Sequence, residues 1–233
     1  MKPTPDQSLF DSYATDYDLA LEKGISVSGE DKEYFAAGRI SWLAMCLNKL
    51  GENPQTIMDY GCGTGSATPF VIDNLNPTSL IGVDPSRKSL QIATQVHGSE
   101  RAAFLPFEEY KPHAAVDLVF TSGVFHHINP PDRPDALNYI YKSLRPSGIF
   151  AFWENNPWNP GTQYVMSRIS FDRDAVKVSS LEGKRILKKA GFQIISTDYL
   201  FIFPNLLRGL RKLEPAVSRF PLGAQYQILA RKV

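Results

Sequence analysis

From Thr56 onward, short apolar runs alternate with amphipathic windows and turn signals: Thr56–Tyr60, Ser79–Val83, Ala102–Leu105, Val116–Thr121, Gly148–Trp153, Phe192–Leu200 and Gln225–Ala230. Strand-like runs separated by helical windows predict a largely parallel sheet whose crossovers cover both faces. The last connection breaks this rhythm. Asp198 to Leu213 and the Phe220–Gly223 turn lead into the final run without a plain crossover, so an antiparallel edge strand is expected there. Upstream, apolar residues recur at three- and four-residue steps in Ser8–Leu21 and in Tyr34–Leu50, which predicts two helices and an N-terminal helical cover over 1–52. Residues 155–178, rich in Pro, Trp, Asn and Arg, fit neither period and read as an insertion over one end of the sheet.

Composition changes this picture little. At 233 residues, 43% hydrophobic and 21% charged, the chain suits one α/β domain spanning 1–233 with a real core. Lys+Arg 25 against Asp+Glu 24 leaves a net charge of +1, which removes bulk attraction to nucleic acid, so no nucleic-acid partner is expected. The balance hides an asymmetry, since residues 184–233 alone carry +8. Within them, Asn205–Leu213 places Leu206, Leu207, Leu210 and Leu213 on one helical face and Arg208, Arg211 and Lys212 on another. A surface helix with a solvated basic face is the plain reading; contact with an anionic membrane surface, or gating of a pocket for an amphiphilic acceptor, is the other. Two cysteines, Cys46 and Cys62, suit a reducing compartment, so a cytoplasmic location is expected. Met1–Asp11 shows no signal-peptide pattern, and no run of 18 apolar residues predicts a transmembrane segment.

Candidate chemistry begins at Asp59-Tyr60-Gly61-Cys62-Gly63-Thr64-Gly65, which runs from a strand into a helical window near Ser66. Glycines there permit a tight turn and close approach of a ligand to backbone amides. Asp84 ends the next strand, ahead of Pro85, where a carboxylate can accept both ribose hydroxyls of a nucleoside. The spacing is G-x-G-x-G with a carboxylate before it, whereas a dinucleotide fingerprint is G-x-G-x-x-G around a pyrophosphate. A negative charge at Asp59 suits a cationic amino group instead.

On these residues, together with Ala115–Ile128 around the fourth strand and Leu144–Phe150 before the fifth, the chain resembles the class I S-adenosylmethionine-dependent methyltransferases. The resemblance implies a Rossmann-like, seven-stranded, mainly parallel sheet, with S-adenosylmethionine as cofactor and S-adenosylhomocysteine as its product. It also implies that Asp59, Gly61, Cys62, Gly63 and Gly65 surround the methionine moiety, and that Asp84 and Pro85 meet the ribose. Phe107 and Glu108 would lie beside the adenine, and Thr121 and Ser122 beneath the ligand. Tyr13 and Tyr17, one helical turn apart, are a candidate lid over the donor, although packing alone gives the same spacing.

Methyl transfer from a sulfonium needs alignment and exclusion of water, and a base only when the acceptor must lose a proton. His126 and His127 follow the fourth strand and are the candidate bases; Glu154 ends the fifth and is a candidate to orient a hydroxyl. Their structural alternatives are hydrogen bonding between loops and turn capping. His97 and His113 have no ligand spacing, so no metal is expected. The expected function is O-methylation of a small-molecule hydroxyl on a hydrophobic, lipid-linked or glycosylated metabolite, with C-methylation as the alternative. A nicotinamide-dependent oxidoreductase and a non-catalytic S-adenosylmethionine-binding domain are the rivals from other classes.

Overall fold

The structure, a computed structural model, describes residues 24–25, 28–169 and 175–233. Its elements in chain order are α1 (Lys32–Leu50), β1 (Thr56–Tyr60), α2 (Thr68–Leu75), β2 (Ser79–Asp84), α3 (Arg87–His97), β3 (Ala102–Pro106) and β4 (Val116–Ser122). There follow α4 (Arg133–Ser143), β5 (Leu144–Asn155), α5 (Pro160–Arg168), α6 (Ser180–Lys189), β6 (Phe192–Leu200), α7 (Glu214–Val217) and β7 (Gln225–Lys232). All seven expected strands are present, most of them longer than the apolar run that announced them. Helix α1 starts two residues before the expected Tyr34, because Asp31 accepts from the Tyr34 N–H at 2.7 Å and caps it.

The sheet order is β3-β2-β1-β4-β5-β7-β6. Strands β1 to β5 pair in parallel, while β7 runs antiparallel to both β5 and β6. The antiparallel pairing expected at that end is therefore made by β7, inserted one place in from the edge. Adjacent strand residues feed opposite faces: Ile57, Leu118, Ile149 and Ala151 pack with Ile40, Leu43 and Leu47 of α1 and with Val71 and Ala93. Met58, Val119, Phe150 and Phe152 pack with Leu137 and Ile140 of α4 and Leu187 of α6. Helix α1 is thus part of the sheet's cover. The putty-like look of 155–178 in sequence resolves partly into α5, capped by Asn159, whose side chain accepts from the Thr162 N–H at 2.9 Å.

Asn205–Leu213 is not the expected α-helix. It is a 3₁₀ segment with a break at Leu207, followed directly by α7. Glu214, the first residue of α7, is buried and accepts from the N–H groups of Phe201, Ile202 and Phe203 at 3.1–3.2 Å, which anchors the chain on both sides of the segment. Among the described residues no helix is long and apolar enough to cross a membrane.

Candidate active site

Strands β2 and β3 lie on one side of β1, and β4 and β5 on the other, so the carboxyl ends of β1 and β4 flank the point where strand order reverses. A crevice opens there in any doubly wound sheet. The glycine loop after β1 sits at this point. Gly61 has φ +78°, and a side chain on it would press its Cβ to 2.5 Å from Val124 Cγ2, so the turn tolerates nothing larger. At Gly63 the contrary holds: φ is +52° and a Cβ would meet nothing within 4 Å, which makes this the open lip of the loop.

Two carboxylates face the loop. Asp84 Oδ2 accepts from the Gly63 N–H at 2.8 Å and Oδ1 from the Ser86 N–H at 2.9 Å, which ties the end of β2 to the glycine turn. Asp59 is 6% exposed, and burial together with the nearby Asp84 raises its pKa to about 7, against the lowering effect of Arg39. A carboxyl held near neutrality this way is primed to ionise when a cation arrives. Thr121 at the end of β4 is fully buried with no partner for its hydroxyl among the described residues, and Ser122 is half-buried beside it.

Other expected residues fall around this centre in different ways. Cys62 is buried, burial pushes its thiol well up, and its sulfur occupies the space that a side chain at Gly82 would need, so it packs as a filler. Pro85 is half-buried in the Asp84–Ser86 turn. Phe107 is half-buried with its ring centroid 4.7 Å from that of Tyr60, whereas Glu108 is exposed and pairs with Arg87 at 2.9 Å. Tyr13 and Tyr17 lie outside the described residues.

The histidines and Glu154 form a second group. A 3₁₀ turn over Phe125–His127 follows Gly123, whose φ of +67° swings the chain off β4 and whose N–H donates to Trp153 O on β5. In the buried pair that results, His126 Nδ1 lies 2.6 Å from Glu154 Oε2, and the Phe125 N–H donates to Glu154 Oε1 at 2.7 Å. With Glu154 accepting as a carboxylate, it is the Nδ1–H of His126 that donates across this contact. His127 is half-buried and stacks on His126 with centroids 4.0 Å apart.

Arg133, which sequence reasoning missed, fixes this turn. It is 2% exposed; Nε donates to the carbonyls of Phe125 and Ile128 at 3.2 and 3.1 Å, one terminal nitrogen to Val176 O at 2.7 Å and the other to Glu182 at 2.7 Å. An arginine at a helix start normally points to solvent, so no local signal marked it.

His126, Ser122 and Gly123 line a cavity of about 470 Å³. Its walls are mostly apolar and come from α1, α5, residues 201–204 and the start of β7, with Tyr34, Phe35 and Phe201 in mutual edge contact. Two cations reach into it. Arg39 donates to Gln225 Oε1 at 3.0 Å; Arg211 pairs with Glu30 at 2.6 Å and lies 4.6 Å from the Tyr34 ring centroid. Arg39 had only one weak sequence signal, a charge inside the apolar period of Tyr34–Leu50 and well before Lys49 at its end.

Residues 58–150, which run from within β1 through the glycine loop to the middle of β5, match a family model described as a methyltransferase domain. A trans-aconitate 2-methyltransferase from Azoarcus sp. is 29% identical over 100 residues, 43% of this chain and 39% of the relative. An uncharacterised methyltransferase from Synechocystis sp. is 33% identical over 113 residues, 45% of this chain and 50% of the relative. The chain thus spans about half the length of the curated relatives it matches. The crystal structure of an S-adenosylmethionine-dependent methyltransferase from Thermotoga maritima covers 97% of this chain and 99% of its own, with TM-score 0.66 at 21% identity, a likeness of fold. With the glycine turn, the two strand-end carboxylates and the sheet order in place, residues 58–150 match a methyltransferase domain, and the chain shares its fold with S-adenosylmethionine-dependent methyltransferases of known structure.

Proposed function

We propose that this chain transfers the methyl group of S-adenosylmethionine to a hydroxyl of a small, largely apolar acceptor and releases S-adenosylhomocysteine. The observation that carries this reading is the buried His126–Glu154 pair, whose histidine lines a cavity of about 470 Å³ beside the end of β4. The residues around the glycine turn fit the donor. Asp59 would offer its carboxylate to the ammonium group, the Gly61–Gly65 backbone would make room for the methionine portion, and the Asp84 carboxylate, at the end of β2 beside the glycine turn, would face the ribose hydroxyls. Phe107 supplies the apolar side of the adenine site, while Thr121 and Ser122 lie beneath the sulfonium end. When bound, the donor supplies a methyl group already activated by positive sulfur.

The chain's own work is then positioning and one proton transfer. The apolar cavity walls exclude water and hold the acceptor oxygen in line with the methyl group. His126 would take the proton of the acceptor hydroxyl, and Glu154 would steady the imidazolium through the Nδ1 contact. Glu154 acts through His126 and is a positioning residue.

A second reading has a specific observation behind it. Arg39 and Arg211 reach into the cavity, and the Azoarcus relative is named for trans-aconitate, a carboxylate. A carboxylate acceptor needs no base. Methyl transfer from labelled S-adenosylmethionine across a panel of hydroxyl- and carboxyl-bearing small molecules separates the two. For a hydroxyl acceptor, His126→Gln lowers kcat about a hundredfold or more while S-adenosylhomocysteine still binds. A rate kept within a few-fold, on carboxyl acceptors alone, establishes the second reading and overturns the first; donor binding without transfer to any acceptor overturns both.

A further inference from the structure

The 3₁₀ geometry of Asn205–Leu213 changes what its sequence means. With three residues per turn, residues at i and i+3 eclipse, so Leu210 and Leu213 lie in one stripe beyond the break at Leu207. None of the three is covered: Leu207, Leu210 and Leu213 are 45%, 42% and 54% exposed, and Leu206 is 93% exposed. No residue of the segment is buried. Phe220 and Leu222 are exposed on the turn before β7, and Trp158 on a loop joined to that turn by the Asn159 side chain, which donates to Leu222 O at 2.8 Å. Exposed large apolar groups gathered on adjoining segments mark a contact surface rather than ordinary solvent exposure.

Charge decides what the surface meets. Arg208 and Lys212 are exposed, bracket Leu210 and make no ion pair among the described residues, while Arg211 turns inward to Glu30. The segment contains no acidic residue, and the first one after it, Glu214, is buried on backbone amides. We propose that this face docks on an anionic lipid surface, with the leucines entering the boundary between headgroups and acyl chains and Arg208 and Lys212 resting on the headgroup charge. Phe203, Pro204 and Arg211 line the cavity, so docking brings its wall against the lipid. Docking stands independently of methyl transfer; only its corollary, that an amphiphilic acceptor enters from the lipid side, rests on the proposed function.

The test is co-sedimentation of the full chain with vesicles of equimolar phosphatidylcholine and phosphatidylglycerol, beside vesicles of phosphatidylcholine alone. The expected result is binding to the anionic vesicles only, weakened by salt. The variant L206S/L210S/L213S, whose residues do not line the cavity, loses on the order of tenfold in vesicle affinity at unchanged melting temperature. R208Q/K212Q likewise loses binding. Equal binding to both vesicle types, or a serine variant that sediments as the native chain does, overturns the proposal. So does light scattering that shows a dimer in the native chain and a monomer in the serine variant, which assigns the face to a second copy.

Discussion

At the scale of single residues, the site turns on one carboxyl group whose ionisation is poised. Burial and the neighbouring Asp84 raise Asp59 to about 7, so its protonated form is favoured by folding. The contribution to stability is fully present below the unfolded carboxylate range and is lost as pH rises through about 7. Asp59→Asn is therefore expected to raise the melting temperature at about pH 8 and to leave it nearly unchanged at about pH 4. A bound ammonium group reverses the preference by stabilising the anion. Donor affinity should accordingly fall as pH drops below about 7, a slope that Asp59→Asn abolishes in titrations across that range. Asp59 and Asp84 were legible because each closes a recognisable strand beside the glycine turn. Arg39 and Arg133 were not, because their roles depend on partners 186 residues away in one case and up to 49 in the other.

At the scale of elements, the loop after β4 is braced by the buried guanidinium of Arg133. Replacing Arg133 by Leu leaves the carbonyls of Phe125, Ile128 and Val176 short of a donor and Glu182 without its partner. The expected loss is about 3 kcal/mol of stability by denaturant titration, with faster amide exchange concentrated at Phe125–Ile128. Strands were legible because covered strands are apolar over their whole length, a pattern that survives without knowledge of their neighbours. The segment 205–213 was misjudged for an equally physical reason. Leucines three and four apart satisfy the helical period and the 3₁₀ period alike, and the tie is broken by Glu214 clamping three distant amides, which the sequence does not display.

At the scale of the molecule, the sheet order gathers the glycine turn, Asp84 and the His126–Glu154 pair at one end of β1, β2, β4 and β5. One side of the crevice carries the groups that suit the donor; the other opens into the apolar cavity with its two cations. The class of chemistry was legible through the resemblance of the glycine turn and the strand motifs to those of methyltransferases. The acceptor follows from the cavity side, which is assembled from α1, α5, residues 201–204 and β7, far apart in sequence and joined only by the fold. The most direct test of the whole account is calorimetric titration of the folded chain with S-adenosylmethionine and S-adenosylhomocysteine, native against Asp84→Ala. Binding on the order of micromolar that weakens at least about tenfold in the variant is the predicted result. Native protein that is folded yet binds neither ligand would contradict it.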